Sequence, residues 1–285
     1  MARFRDTAWA HGGGVVSLSF SPGRALAEVL IAKGERVFAT ARKPEELSDL
    51  VASHKNARAL KLDVTVPTDI KAAVAEVEQA GGVDVLVNNA GYGYLTAIEE
   101  GDEDGYRAQF ETNMFGLIAM TKAALPKMRQ RGSGHIVNIA SLGGLIGNPG
   151  SGYYAATKFG VVGFSESLSK EVGAFGIKVT VVEPGPFRTD WAGRSLQSSP
   201  HPIDAYAETV HARLKQLSAS SGRQPGDPRR AAEAIITAVD SAQPPLNLVL
   251  GAPALKMARE KLAALTAELD RWEALTLSTD YPGQQ

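Results

Sequence analysis

Tyr154 and Lys158, in the run Tyr154-Ala-Ala-Thr-Lys158, can bring a phenol and an ammonium to one ligand, because positions i and i+4 share a helix face. An ammonium beside a phenol favours the phenolate, so the tyrosine pKa is expected to fall from about 10 toward the working pH. Such a tyrosine can give a proton to a carbonyl oxygen or take one from an alcohol. Taken alone, the pair is a weak pattern and reads better as two surface residues on a helix. Other polar residues accompany it in order. Ser141 ends the apolar run "GHIVNIAS", and Asn113 sits in "FETNMFG", inside a long helical pattern where an amide is out of place unless it bonds something. Asn88-Asn89-Ala90-Gly91 closes one apolar run, and "EPGPFRTD", Glu183 to Asp190, closes another. Core packing alone would call for aliphatic residues at several of these positions.

The elements that must hold these residues alternate along the chain. Helical spacing covers 24–33, 45–53, 69–80, 102–128 and 153–175, and short apolar strands fall at 35–41, 57–63, 83–91, 134–141 and 177–185, by period and by the Gly and Pro that bound them. Near-continuous apolar strands separated by helices call for a parallel sheet covered on both faces. The expected fold class is therefore α/β, a doubly wound, Rossmann-like parallel sheet in one domain over 1–285. Its ligands belong at the carboxyl edge of the strands. Residues 190–228 are rich in Ser, Pro and Gly, carry one helix at 203–217, and suit a substrate lid better than a second core. A further helix at 229–242, a strand at 246–251 and an amphipathic helical extension at 254–275 complete the chain.

Composition excludes other classes. The chain has 285 residues, a net charge of −1 and no basic stripe, so nucleic acid is not an expected partner. With no cysteine, thiolate metal sites, disulfides and a cysteine nucleophile are excluded, and a cytoplasmic location is expected. No apolar run reaches the length of a membrane span, and the N-terminal segment lacks the apolar stretch of a signal peptide. The five histidines show no metal-ligand spacing.

From Gly23 to Asp190 the chain resembles the short-chain dehydrogenase/reductase family, in its single-domain branch. The resemblance implies an oxidoreductase that moves a hydride between a nicotinamide nucleotide and a carbonyl or alcohol substrate. Tyr154 would be the acid/base, and Ser141 would orient and polarise the substrate oxygen. Lys158 would lower the tyrosine pKa and bond the nicotinamide ribose, and Asn113 would hold a relay water. Asp63 would meet the adenine, with Asn89, Ala90 and Gly91 passing under the adenine ribose. Pro184, Gly185 and Thr189 would wrap the nicotinamide. Tyr92, Tyr94, Phe187 and Trp191 would line the substrate pocket, with plain packing almost as good an account of each. The resemblance also implies a homo-oligomer assembled through the two long helices. Trp272 and its helix would cover the sheet edge or a subunit contact.

Cofactor choice turns on Ala41-Arg42-Lys43, which follow the second strand. A carboxylate there would accept from a ribose 2′-hydroxyl and favour NAD(H). Its absence, with Arg42 able to fork onto a 2′-phosphate, makes NADP(H) the expected cofactor and NAD(H) the second choice. The first turn departs from the family's glycine pattern. Counting back from Gly23 sets Ser17 and Ser21 where two glycines would let backbone approach a pyrophosphate, and Pro22 lacks an N–H to present. The first strand reads either as 8–16 or as 15–20. Weakened nucleotide binding is expected, and a family member that has become a binding or regulatory protein is the alternative.

Overall fold

A computed structural model describes residues 14–17, 22–189 and 196–281. In chain order it contains β1 (Gly14–Ser17), α1 (Pro22–Ala32), β2 (Val37–Ala41), α2 (Ser48–Val51) and β3 (Ala57–Lys61). Next come α3 (Pro67–Gln79), β4 (Val85–Asn88), β5 (Gly93–Tyr94), α4 (Glu103–Phe110), α5 (Gly116–Arg131) and β6 (Gly134–Ile139). The remainder is α6 (Gly152–Val172), β7 (Ile177–Pro184), β8 (Leu196–Gln197), α7 (Ala212–Ala219), α8 (Pro228–Val239), β9 (Asn247–Leu250) and α9 (Ala252–Leu277).

Seven strands form one parallel sheet in the order β3-β2-β1-β4-β6-β7-β9, and β5 pairs with β8 in a separate two-stranded ribbon. The strand order reverses between β1 and β4, which opens a crevice at their carboxyl ends. Each face of the sheet is sealed by helices. On one side Leu26 and Leu30 of α1 and Ile235 and Ile236 of α8 pack with Val137 and Val182 of the sheet. On the other, Ile70, Met120 and Leu168 cover Phe38, Leu86 and Ile136. Local signals set the helix ends. Asp227 caps α8 by accepting from the Arg229 N–H at 2.8 Å, with Pro228 in the first turn, where its missing N–H costs least. Gly132, at φ +69°, ends α5 in the left-handed conformation that glycine adopts without strain.

Several expectations need correction. Within the described residues the first strand is Gly14–Ser17, in register with β2 from Gly14↔Val37 to Ser17↔Thr40, and the rest of the expected spans 8–16 and 15–20 lies outside the described residues. Ser17 therefore ends a strand instead of sitting inside a loop. Pro22 opens α1, so its missing N–H falls at a helix start and not within the turn. Ser21, Asp190 and Trp191 lie outside the described residues. The helix expected at 45–53 is a 3-10 turn, Pro44–Leu47, followed by α2. The long helix expected over 102–128 is interrupted by a π turn at Glu111–Phe115. The helix expected at 203–217 begins as 3-10 and π turns and becomes regular only in α7.

Candidate active site

The strand ends deliver the site. β6 stops at Ile139, and Ser141 then caps a 3-10 turn, its hydroxyl oxygen accepting from the Gly143 N–H at 3.0 Å. Across the cleft, Tyr154 and Lys158 lie one turn apart on α6, and both are buried. Tyr154 and Ser141 share a hydrogen bond. Lys158 Nζ donates to the Ile139 carbonyl at 2.8 Å and lies 5.8 Å from the centre of the Tyr154 ring. The tight turn at Gly143 has a reason: a Cβ there would come within 3.1 Å of Tyr154 Cε1.

Burial dominates the electrostatics. It pushes the Tyr154 hydroxyl up to about 12, with the Ser141 hydrogen bond acting in the opposite direction. Burial also pushes Lys158 down to about 8. The expected lowering of the tyrosine pKa is thus reversed. Desolvation disfavours the phenolate more than the ammonium favours it, since Lys158 faces the ring and a carbonyl. Tyr154 holds its proton throughout the neutral range.

Asn113 occupies the π turn between α4 and α5 and is 1% exposed. Its Oδ1 accepts from the Tyr92 N–H at 3.0 Å, and its Nδ2 donates to the Tyr92 carbonyl at 2.9 Å and to Thr157 Oγ1 at 3.3 Å. With both amide hydrogens engaged, the side chain fastens the segment after β4 to α6. The amide fits mid-helix because an inserted residue turns it onto a neighbouring segment. Gly91 passes between the two elements, where a Cβ would lie 3.0 Å from Asn113 Oδ1 and 3.6 Å from Lys158 Nζ. Deeper in the sheet, Asn88 Nδ2 donates to Asn138 Oδ1 at 2.9 Å, tying β4 to β6 beneath the site.

These residues line a cleft of about 250 Å³, walled by Asn89, Gly91, Ser141, Tyr154, Lys158, Pro184, Gly185 and Thr189. Phe187 joins the wall, whereas Tyr94 does not. Tyr94 is buried, bonds Asp102 and packs tilted against Tyr153, 6.1 Å between ring centres. Tyr92 contributes its backbone to Asn113 and its side chain stays outside the cleft lining. Ala90 packs against the core beside them. Arg42 and Asp63 stand at the ends of β2 and β3, away from the cleft, with Arg42 among the charges that favour the Asp63 carboxylate. Asp63 Oδ1 accepts from the Thr65 N–H and hydroxyl at 2.9 and 2.7 Å. Gly23 is buried in the first turn of α1.

Sequence reasoning missed the far wall. Arg213 and Leu217 of α7, with Gln224, close the cleft, and Arg213 Nη1 donates to the Pro149 carbonyl at 2.7 Å. Nothing local marks these positions, because they reach the site only when α7 docks. Glu183 was passed over as a motif residue. It is fully buried, neither carboxylate oxygen has a partner among the described residues, and burial pushes its pKa up to about 7. His135 is likewise buried, with Nε2 2.9 Å from Thr180 Oγ1. Among the described residues there is no cluster of three or more metal-ligating side chains and no helix long and apolar enough to cross a membrane.

Residues 20–199 match the family described as short chain dehydrogenase. The chain is 42% identical over 260 residues to an oxidoreductase, BOA17, of Botryotinia fuckeliana, covering 90% of this chain and 94% of that protein. It is 37% identical over 231 residues to a 3-ketodihydrosphingosine reductase of Bacteroides thetaiotaomicron, covering 80% and 83% of the two. A solved short-chain dehydrogenase from Streptomyces avermitilis has the same fold, with TM-score 0.88 at 43% identity over 94% of this chain and 99% of that one.

Proposed function

The chain belongs to the short chain dehydrogenase family, and on that premise we propose that it is an NADP(H)-dependent oxidoreductase interconverting a ketone and a secondary alcohol. The observation that carries this reading is one cleft in which a protonated Tyr154, bonded to Ser141, stands over a buried Lys158. The name of the Bacteroides relative, a reductase of a keto compound, points the same way.

The residues fit a nicotinamide nucleotide. Gly91 brings bare backbone to the cleft where a Cβ would crowd Asn113. Arg42 is exposed, forms no ion pair among the described residues, and has no carboxylate beside it at the end of β2. Arg42 would hold a 2′-phosphate, Asp63 the adenine, Asn89 and Gly91 the adenine ribose, and Lys158 the nicotinamide ribose, with Pro184, Gly185 and Thr189 around the nicotinamide. Once bound, such a nucleotide supplies or accepts the hydride.

The chain's own residues handle the proton. With its pKa at about 12, Tyr154 is poised as the acid that protonates a ketone oxygen during reduction. Ser141 bonds that oxygen and keeps it within reach of the phenol. Lys158 places a positive charge below the ring, which favours the tyrosinate left behind. Asn113 is a positioning residue: it fixes Tyr92 and Gly91, and so the floor on which Lys158 rests.

The experiment is a fluorescence titration with NADPH, followed by turnover of a panel of ketones, on the parent and Tyr154→Phe. The parent should bind and turn over. Tyr154→Phe should bind equally and lose about 10²–10⁴-fold in kcat, the usual worth of a positioned acid. The binding-protein alternative rests on serine rather than glycine at Ser17 and Ser21. It becomes the better reading if the parent binds neither NADPH nor NADH.

A further inference from the structure

α9 leaves the body of the protein after its second turn. Ala254 and Ala258 are buried, and Gly185 makes room for the first, since a Cβ at Gly185 would lie 2.9 Å from Ala254 Cβ. Every described residue from 259 onward is exposed. That stretch includes Leu262 at 62%, Leu269 at 61% and Trp272 at 55%. Large apolar side chains along a free helix mark an interface, because in proteins most helical stability comes from packing an apolar face and contiguous exposed apolar surface marks an interaction site.

The spacing says what kind of interface. Ala258, Leu262, Leu265, Leu269, Trp272 and Thr276 recur at alternating intervals of four and three, the a/d seam of a two-stranded coiled coil. Charges flank it: Arg259 and Glu273 at e positions, Lys261 and Glu268 at g positions. Within the described residues α9 has an internal ion pair, Lys256–Glu260, that uses none of these four. In an antiparallel pair, a layers oppose d layers, e faces e and g faces g. Setting Leu265 against the partner's Leu269 puts Leu262 against the partner's Trp272 and Ala258 against the partner's Thr276. At the five-residue offset that sets g beside the following e in a parallel pair, the same register sets Lys261 beside the partner's Glu268, twice by the two-fold axis, and Glu273 beside the partner's Thr266. In a parallel pair, g faces the following e. Glu268 would then meet the partner's Glu273 with like charge, and Lys261 would meet the partner's Thr266. The antiparallel register thus satisfies the apolar seam and pairs Lys261 with Glu268.

We propose that α9 is a dimerisation arm that pairs antiparallel with α9 of a second copy of this chain. The arm is built by residues outside the cleft, so its test is independent of cofactor binding or turnover.

Sedimentation of the full chain should show a particle whose mass is halved by Leu265→Glu with Leu269→Glu, while far-ultraviolet circular dichroism stays unchanged. Lys261→Glu should weaken association by about tenfold, and adding Glu268→Lys should restore it, as for a reciprocal charge pair. The chain has no cysteine, so direction can be read by disulfide formation. A mixture of Leu265→Cys and Leu269→Cys chains should cross-link to each other, and neither should link to itself. Unchanged mass in the double glutamate variant overturns the proposal. So does self-linking of Leu269→Cys without the mixed product, which is the parallel outcome. A halved mass with no cross-link at all would place the arm on the partner's body and also overturn it. Arm-dependent binding to phosphatidylglycerol vesicles, with mass unaffected, would assign the stripe to a lipid surface instead.

Discussion

Tyr154 carries its proton because burial outweighs its Ser141 hydrogen bond, and Arg42 is exposed and in no ion pair among the described residues. If Arg42 grips a 2′-phosphate, Arg42→Ala should weaken NADPH binding by about 1–3 kcal/mol, as for other charge-assisted hydrogen bonds, and leave NADH nearly unchanged. Paired titrations decide it, and equal losses would remove Arg42 from cofactor choice. Glu183 makes a separate prediction about stability. Its ordinary value is 4.5 and its folded value about 7. Between those values the folded chain keeps a proton that the unfolded chain has released, so this group's contribution to stability falls as pH rises through the window. Above pH 7 the cost is fully present. Glu183→Gln should therefore be more stable than the parent above pH 7, by about 1–3 kcal/mol, and match it below pH 4.5. Urea unfolding at both ends of the window tests this, and a pH-independent difference would sink it.

Elements position these residues through close approach. The 3-10 turn after β6 meets α6 at Gly143, where a methyl group would press on the Tyr154 ring at 3.1 Å. Gly143→Ala should displace the ring by a few tenths of an ångström and lower kcat by about tenfold, given the sensitivity of catalysis to misplacement. Thermal stability should hardly move. A variant with the parent's kcat would show that the ring has room to yield. The π turn at Glu111–Phe115 was not legible in the sequence, since "ETNMF" fits an α-helix as well. It is resolved by the bonds that Asn113 makes to Tyr92 and Thr157, residues 21 and 44 positions away.

At the scale of the molecule, Glu100 holds the cleft's far wall to the sheet side. Its Oε1 accepts from the Ile203 N–H at 2.8 Å and sits 2.6 Å from His211 Nε2, and its Oε2 accepts from the Ala97 N–H and the Thr96 hydroxyl. Burial works against ionisation, yet the bonds from Ile203, His211, Ala97 and Thr96 hold the carboxyl at about 2. A lowered folded pKa contributes stability above the ordinary value of 4.5 that is lost as pH falls toward 2. Glu100→Gln should speed hydrogen exchange across 203–219 at neutral pH and raise KM for the carbonyl substrate more than it lowers kcat. An unchanged exchange pattern would show that α7 is docked by other contacts.

By itself the sequence determined the architecture and the identity of the chemical groups. The alternation of apolar strands and amphipathic helices requires a covered parallel sheet, and the order of Asn113, Ser141, Tyr154 and Lys158 names the family, because both are written in local period and spacing. Tertiary structure alone decided how those groups behave. The tyrosine pKa rises because α6 is buried against β6, a desolvation that no spacing reveals. Asn113 turns to Tyr92, and Arg213 reaches the cleft, because segments far apart in sequence are folded together. The apolar stripe of α9 is in the sequence, where it reads as a cover for the sheet edge or a subunit contact. Only the fold shows that the body leaves that stripe uncovered, since whether an apolar face is buried depends on what else the chain brings to it.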